Sequence, residues 1–375
     1  MGDQNKNVPR LRFPGYTDAW VKCELGRLFN FRYGEGNTNP SDNGIYPVYG
    51  AGGQQGSYSR YNAEDSIIIG HMGDAGCVTF GEGRHFVTYN GTITTAKSCD
   101  FPIQFGYYLL LTSNLRGLTG GSILKFLTYE MIRKIEIYIP QSFEEQTKIG
   151  EFFKHLDNLI TVNERELNKL KNLKKSYLEK MFPKNGSDIP ELRFPGYTDA
   201  WVKCEFATFI ERINTSSDSD LIPKVEFEDI KSGMGYLNKD ISRKFDDRKG
   251  TLFQPKDILF GKLRPYLKNW LFPDFMGVAL GDFWVFRALN SNPEFAYVLI
   301  QSPKFQAIAN DTVGTKMPRS DWKIVSNSEF WMPSIKEQTK IGEFFKHLDN
   351  LITVNERELN KLKELKKSYL KDMFV

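Results

Sequence analysis

The chain has 375 residues, of which 40% are hydrophobic, and its 50 basic and 46 acidic side chains give a formal net charge of +4. This length and composition predict two or three globular domains, and the near balance of charge excludes a histone-like protein. No apolar run approaches the ~20 residues that a membrane helix needs, and the first ten residues lack the apolar segment of a secretory signal. The four cysteines are spread out without the close pairing of a zinc site, so we expect a cytoplasmic protein with reduced thiols and no bound metal.

Two stretches of the sequence occur twice, letter for letter. The shorter, LRFPGYTDAWVKCE, occupies Leu11–Glu24 and Leu192–Glu205, and the longer, EQTKIGEFFKHLDNLITVNERELNKLK, occupies Glu145–Lys171 and Glu337–Lys363. We call the shorter repeat the leader. We call the segment between each leader and the following copy of the longer repeat an insert, and the two inserts differ in sequence. Internal repeats indicate a repeated architecture. Two identical scaffolds that carry unlike inserts predict a two-armed reader in which the frame is constant and each insert reads something different.

The repeats divide the chain into globular segments and long helices. We predict a first globular domain over residues 1–143, a long helix over 144–182, a linker over 183–190, a second globular domain over 191–335 and a second long helix over 336–375. Both inserts are predicted to be α+β, with a buried strand and a later helix at Ser66–Gly70 and Phe105–Ser113 and at Asp257–Gly261 and Pro293–Ser302. The matching positions of these elements predict a shared fold under divergent sequence. Trp20 and Trp201, at the same place in the two leaders, are predicted to be core anchors.

Each copy of the longer repeat predicts a long helix with a heptad seam. The first seam runs through Ile149, Phe153, Leu156, Ile160, Asn163, Leu167, Leu170, Lys174, Tyr177 and Met181. At ~1.5 Å per residue each helix is ~55 Å long. The two helices predict an intramolecular antiparallel coiled coil with a pseudo-twofold axis near its middle. There Asn163 either pairs with Asn355 as a register device or binds solvent or the backbone.

A second apolar stripe lies off the seam of each predicted helix. A helix with two apolar stripes usually has two partners. The second stripe therefore packs on the chain's own inserts or forms a groove for helices of another subunit, and both interpretations stay open. The candidate partner-binding residues are Phe152, Leu159, Leu173, Phe344, Leu351 and Leu365.

Short loops in the inserts carry basic, amide and aromatic side chains. Arg and Lys can pair with guanine edges and Gln with adenine, whereas the alternative for any one of these residues is an ordinary solvated charge. The turn Gly261-Lys-Leu-Arg-Pro-Tyr266 is the strongest signal, because a predicted strand leads straight into two cations and an aromatic ring. The candidate DNA-binding residues are Gln54, Gln55, Arg60, His71, Arg84, Tyr89, Lys97 and Lys125 in the first insert, and Arg243, Lys244, Arg248, Lys249, Lys262, Arg264, Tyr266, Lys268, Lys316 and Arg319 in the second.

Motifs for covalent chemistry are absent from the sequence. No Asn/Asp-Pro-Pro-aromatic tetrapeptide of the amino-methyltransferase kind occurs, and no Walker A sequence occurs. The glycine-rich stretch Gly50–Gly56 is a near miss of the dinucleotide fingerprint, but its flanks favour strands and turns. The histidines are scattered, and no nucleophile lies beside a base. We therefore expect no catalytic residue and no cofactor in this chain.

The tandem layout and several motifs resemble the specificity subunit of a type I restriction-modification enzyme. The motifs are LRFPGYTDAW, YPVYGAGGQQGSY, DILFGKLRPYL and the twice-occurring EQTKIGEFFKHLDNLI. The resemblance implies two target recognition domains, each binding part of a split double-stranded DNA site, and an antiparallel coiled-coil spacer. It also implies partners: two modification subunits that methylate adenine with S-adenosylmethionine, and restriction subunits that use ATP and Mg²⁺. The alternative is a coiled-coil adaptor whose two unlike heads bind proteins.

Overall fold

A computed structural model describes residues 7–36, 40–121, 124–184, 186–242, 244, 247–311 and 317–375. The chain divides into two compact units: the first comprises residues 1–163 and 358–375, and the second comprises residues 164–357. Each unit therefore contains one insert and a segment of both long helices.

The first unit is an α+β structure around one large sheet. The strands are Val21–Glu24 (β1), Phe29–Tyr33 (β2), Tyr46–Gly50 (β3), Gly53–Tyr58 (β4), Ala63–Gly70 (β5), Val78–Val87 (β6), Gly91–Ala96 (β7) and Glu136–Ile139 (β8). The helices are Leu25–Leu28 (α1), Ile103–Thr112 (α2), Tyr129–Arg133 (α3) and Phe143–Lys180 (α4), which continues into the second unit. The strands of the large sheet join in the order β2-β7-β5-β6-β3-β4, and β1 pairs separately with β8. In β5, Ile67 and Ile69 are buried in the core that includes α2, whereas Ile68 is buried with Val87 and Ile93 in a separate cluster.

The second unit has two four-stranded sheets and a separate strand pair. Its strands are Val202–Glu205 (β9), Ile210–Ile213 (β10), Ser216–Ser217 (β11), Lys224–Val225 (β12), Gly250–Phe253 (β13), Ile258–Gly261 (β14), Trp270–Leu271 (β15), Gly277–Ala279 (β16), Phe283–Ala288 (β17) and Glu329–Met332 (β18). Its helices are Phe206–Phe209 (α5), Pro293–Gln301 (α6), Pro303–Ala309 (α7), Trp322–Asn327 (α8) and Ile335–Asp372 (α9), whose last part lies in the first unit. The sheet orders are β10-β17-β14-β15 and β11-β13-β16-β12, and β18 pairs with β9.

A four-stranded core is common to the two units. Strands β2-β7-β5-β6 of the first unit correspond in order to β10-β17-β14-β15 of the second, with antiparallel neighbours throughout. At the end of β5 Gly70 pairs with Gly91 of β7, and at the end of β14 Gly261 pairs with Phe283 of β17. We call β5 and β14 the central strands. The inserts thus share the core that their predicted strands indicated. They differ in the remaining strands, which belong to the parts of the sequence that do not repeat.

The ends of the long helices enter the cores of the units. In the first unit Phe374, near the end of α9, packs against Trp20 and Phe105, with ring centroids 6.2 and 5.8 Å apart. In the second unit Phe182, just after α4, packs against Trp201 and Phe295, at 6.1 and 5.8 Å. Both tryptophans are 2% exposed, which confirms that they are core anchors.

Within each unit the helix segments run antiparallel, as predicted. Near the start of α4, Phe152 contacts Tyr369 close to the end of α9, and in the second unit Tyr177 of α4 contacts Phe344 near the start of α9. The apolar seam positions Ile149, Phe153, Leu156, Ile160, Leu167 and Met181 are buried. The side-chain amides of Asn163 and Asn355 donate to the carbonyls of Leu159 and Leu351, 2.8 and 2.9 Å away in their own helices. Of the alternatives expected for Asn163, the structure therefore shows the hydrogen bond to the backbone, and Asn355 makes the same bond.

A buried ion pair fixes each leader to the start of a long helix. Arg12 donates Nε and Nη2 to the two carboxylate oxygens of Glu145 at 2.6 and 2.8 Å, and Arg193 donates equivalently to Glu337, both at 2.7 Å. Both glutamates are 1% exposed, so each carboxylate depends on its arginine for charge compensation. This pairing explains physically why the leader and the helix repeat together.

Candidate nucleic-acid interface

Three loops meet at one end of the common core in each unit, at a place that we call the junction. In the first unit they are the loop after β5, the turn before β7 and the loop before the short helix α3. In the second unit they are the loop after β14, the turn before β17 and the loop before the short helix α8. In the first junction the His71 amide donates to the Asn90 carbonyl at 2.7 Å, and the Leu127 amide donates to the His71 carbonyl at 2.9 Å. Met72 and Phe126 form an isolated β-bridge beside them.

The second junction repeats these backbone contacts. The Lys262 amide donates to the Asp282 carbonyl at 2.9 Å, and the Ser320 amide donates to the Lys262 carbonyl at 2.8 Å. Leu263 and Arg319 form the isolated bridge. Strand ends expose backbone donors and acceptors that must be paired, and here loops pair them in the same way in both units. The backbone of the junction is therefore constant while its side chains differ.

The first junction presents apolar and aromatic side chains over a buried imidazole. The His71 ring is 6% exposed, stands 4.3 Å from the Tyr33 ring and bonds the Leu127 carbonyl through Nδ1 at 3.0 Å. A cleft beside it is lined by His71, Met72, Gly73, Asn90, Leu124, Lys125 and Phe126. The apolar members of this lining face solvent, with Met72 40%, Leu124 75% and Phe126 39% exposed; nearby Tyr89, predicted from the sequence, is 39% exposed.

The second junction presents charged side chains instead. Arg319 donates Nη2 to Oδ2 of Asp282 at 3.2 Å, and the Lys262 ammonium lies 3.7 Å from the same carboxylate. Arg264 and Lys268 are exposed at the two ends of a short turn that carries Tyr266, itself 55% exposed. The structure therefore brings predicted residues from two separate stretches of sequence, Lys262–Arg264 and Arg319, side by side, and Lys268 ends the turn that follows Arg264.

The other predicted residues of the first insert are spread over strands β4, β6 and β7 and the loops beside them. Gln54 and Gln55 are exposed on the edge strand β4, and Arg60 is exposed beyond it. Arg84 lies opposite Glu64, at the start of β5, whereas the junction is at the end of that strand. Its guanidinium covers the Tyr61 ring at 4.9 Å. Lys97, at the far end of β7 from the junction, donates to the Gly26 carbonyl at 2.6 Å.

Two predicted cations of the second insert are held in an acidic network. Lys244 lies 2.6 Å from Glu226 and 2.8 Å from Asp229, and Arg248 lies 2.7 Å from Glu226. The hydrogen bond from Lys244 holds the pKa of Glu226 below its usual value. Glu226 and Asp229 thus compensate the charges of Lys244 and Arg248. In this structure the two cations hold this part of the insert together. Lys249 is exposed, whereas Arg243 and Lys316 lie outside the described residues.

Asn90, Met72, Phe126 and Asp282, which complete the two junctions, are not among the residues predicted from the sequence. No motif marks them: Met72 directly follows His71, and the others lie on turns and loops that only the folded sheet brings close to His71 or Lys262. The signal that the sequence did offer is the matching position of Gly70 and Gly261, each the last residue of the predicted buried strand in its insert. Because the two strands correspond, the residues that follow them lie at equivalent places in the two units.

The second helix stripe is only partly exposed. Phe152 packs against Phe13 at 5.8 Å and Phe344 against Phe194 at 5.6 Å, so both rings are used inside their own units. Leu159, Leu173 and Leu351 are 37%, 40% and 39% exposed, and Leu365 is partly buried. Sequence reasoning overlooked Val162 and Val354, which are 56% and 58% exposed one turn beyond Leu159 and Leu351. The same small apolar surface therefore occurs on both helices.

Among the residues that the structure describes, no helix is long and apolar enough to cross a membrane. In the same residues no group of three or more His, Cys, Asp or Glu side chains is arranged to hold a metal ion.

Comparison with known proteins places both halves of the chain in one family. The model of the type I restriction modification DNA specificity domain matches residues 17–172 and 230–364. The chain is 22% identical over 293 residues to the type I restriction enzyme MjaVIII specificity subunit of Methanocaldococcus jannaschii, which is 70% of this chain and 66%, just under two thirds, of that protein. It also superposes on the crystal structure of a type I restriction-modification S subunit from M. genitalium, with a TM-score of 0.73 and 15% identity over 98% of this chain and 99% of that one. The chain belongs to the family of type I restriction-modification specificity subunits.

Proposed function

We propose that this chain binds a bipartite, asymmetric site in double-stranded DNA, with one insert reading each half. The observation that carries the proposal is the pair of junctions, which have the same backbone contacts and unlike side chains. A reader of two different sequences needs such a constant frame with variable contacts. Direct readout requires side chains at base edges, and rigid strand ends position side chains more precisely than free loops.

The cations at the second junction suit the negatively charged backbone of DNA. Lys262 and Arg319 lie at one carboxylate, that of Asp282, and Arg264 and Lys268 are exposed on the adjoining turn, so these side chains together carry a net positive charge. Neutralising phosphates releases counterions, which makes affinity fall steeply as salt rises. A protein-binding adaptor does not require this behaviour.

Salt titration of DNA binding by the full chain tests the proposal. We expect the logarithm of the binding constant to fall linearly with the logarithm of salt concentration, with a slope of several units. Replacing Arg264 with Ala should reduce that slope by about one unit. An affinity for DNA that is absent, or insensitive to salt, would favour the protein-binding adaptor.

We further propose that the chain performs no covalent chemistry and recruits subunits that do. Adenine methylation with S-adenosylmethionine, and translocation and cleavage with ATP and Mg²⁺, then take place on modification and restriction subunits. The matching exposed surfaces at Leu159 and Val162 and at Leu351 and Val354 support two equivalent docking places for modification subunits. Apolar side chains at helical spacing are typical of helix-in-groove recognition.

A further inference from the structure

The two junctions differ in chemistry in a way that matches the two kinds of base pair. At the first, Asn90 lines a cleft together with the exposed apolar side chains of Met72 and Phe126. At the second, Arg319 occupies the place of Phe126 and Asp282 the place of Asn90, as the equivalent backbone contacts show. One junction thus has an amide and the exposed ammonium of Lys125 beside apolar groups, and the other has a guanidinium beside a carboxylate.

The major groove of DNA offers distinct partners for these two groups. Adenine presents one acceptor and one donor, so a side-chain amide can form two hydrogen bonds with it, and its partner thymine presents a methyl group. Guanine presents two acceptors, so a guanidinium can donate one hydrogen bond to each of them. The first junction therefore matches an A·T pair, and the second matches a G·C pair.

We propose that the junctions are the base-reading positions of the two units, an inference that rests on the proposed DNA-binding function. At the first junction Asn90 binds adenine, while Met72 and Phe126 contact the methyl group of thymine. At the second junction Arg319 binds guanine.

The surroundings of Arg319 support its assignment to guanine. Asp282 contacts the guanidinium at Nε and Nη2, at 3.4 and 3.2 Å, so it fixes the plane of the group while Nη1 and the second hydrogen of Nη2 stay available for the two acceptors of guanine. Asp282 is thus a positioning residue. Arg264 has no carboxylate partner within 4.0 Å among the described residues, so we assign it to a phosphate, which needs charge more than orientation.

The surroundings of the first cleft support a fixed reading surface as well. The His71 ring beneath it is held by the Leu127 carbonyl and by the Tyr33 ring. Met72 and Phe126 are joined through their backbones by the isolated bridge, so their exposed side chains sit side by side. Apolar side chains exposed on a rigid frame are costly in water, and a methyl group in the groove covers them favourably.

The test uses the full chain with its modification subunits on a DNA library randomised in both half-sites, with methylated adenines as the readout. Arg319→Ala should lower the preference for guanine at one position of one half-site by at least about tenfold and leave the other half-site unchanged. Asn90→Ala should lower the preference for adenine at one position of the other half-site only. Arg264→Ala should lower methylation at all sites evenly, with base preferences unchanged.

Three further variants separate reading from folding. Arg319→Lys keeps the charge beside Asp282 but cannot bind guanine at two atoms, so the guanine preference should still weaken. Asp282→Asn should weaken the same preference without touching the other half-site. Lys336→Ala removes an exposed cation at the start of α9, outside the junction and outside the candidate DNA-binding residues, and should leave base preferences as they are in the wild type.

The outcomes are distinguishable. Unchanged base preferences in Arg319→Ala, Arg319→Lys and Asn90→Ala, with a bipartite site in the wild type, overturn the junction assignment and leave the proposed function standing. A wild-type complex without any sequence preference overturns both.

Discussion

The backbone at Arg264 has a left-handed conformation that side chains disfavour. Its φ and ψ are 49° and 60°, and Lys268 at the other end of the same turn has 56° and 42°. Such a conformation costs a residue other than glycine about 1–2 kcal/mol. Strained backbone is often found at functional sites, so these two exposed cations in one short turn favour the DNA contact that we propose for Arg264.

Replacing Arg264 with Gly separates stability from binding. Glycine relieves the left-handed strain but loses more chain entropy on folding, so we expect the free energy of unfolding to rise by up to about 1 kcal/mol. Arg264→Ala keeps the strained backbone, so its free energy of unfolding should not rise. Both variants lack the guanidinium, so their affinity for DNA should fall by the same amount. Urea denaturation and DNA titration measure the two effects. A glycine variant less stable than the alanine variant would contradict this account of the turn.

The buried carboxylate of Asp229 predicts a pH dependence of stability. Burial opposes its ionisation, but hydrogen bonds from Lys239 and Lys244 outweigh burial and hold the pKa of Asp229 below its usual value. A folded-state pKa below the unfolded one stabilises the fold above about pH 4, and this stability is lost as pH falls through the folded pKa.

Asp229→Asn should therefore destabilise the chain at neutral pH and much less in acid. The amide can still accept the Glu226 N–H bond but leaves Lys244 without full charge compensation, at a cost of about 3 kcal/mol near pH 7. Urea denaturation of both proteins at pH 7 and pH 3 measures the difference. A gap in unfolding free energy that is the same at both pH values would show that charge is not the cause.

At the scale of single residues, the sequence predicted side chains that act through local pattern. Trp20 and the helix seam were predictable because a repeat and a heptad period are visible in the letters. The roles of Lys244 and Arg248 were not, because Glu226 and Asp229 reach them only through the folded insert. The grouping of Lys262, Asp282 and Arg319 likewise depends on three loops that only the sheet brings together.

At the scale of elements, each long helix serves both compact units. The start of α4 packs in the first unit with the end of α9, and the start of α9 packs in the second unit with the end of α4. The sequence predicted the helices because their 3.6-residue period is strong. It did not predict that Phe182 and Phe374, which lie beyond the repeated 27 letters, would complete the cores.

Truncating these two phenylalanines tests the exchange of helix ends. Phe374→Ala should destabilise the first unit by about 3–5 kcal/mol, because a buried ring leaves a cavity, and Phe182→Ala should do the same to the second. Amide hydrogen exchange reports each core separately, through β5 in the first unit and β14 in the second. Faster exchange in β14 than in β5 for Phe374→Ala would contradict the assignment. The two variants are controls for one another.

At the scale of the whole molecule, identical scaffolds with unlike inserts predict two identical partners on one asymmetric reader. The exposed surfaces around Leu159 and Leu351 are equivalent in sequence and in exposure. We expect Leu159→Lys to leave a complex with one modification subunit, because an ammonium at an apolar interface is costly to bury. The same change at Leu159 and Leu351 should leave none.

Native mass spectrometry of the assembled complex measures this stoichiometry. Thr161→Lys is the matched control, because this exposed residue lies on another face of the same helix and should leave two subunits bound. A folded double variant that still carries two modification subunits would place the interface elsewhere.

We propose that one chain reads two different DNA sequences with two versions of the same junction. A genome-wide map of methylated adenines, in cells that carry this chain with its modification subunits, tests this proposal. We expect a single motif of two unlike half-sites separated by a fixed gap of unspecified bases. A palindromic motif, a single continuous motif or methylation without a motif would contradict it.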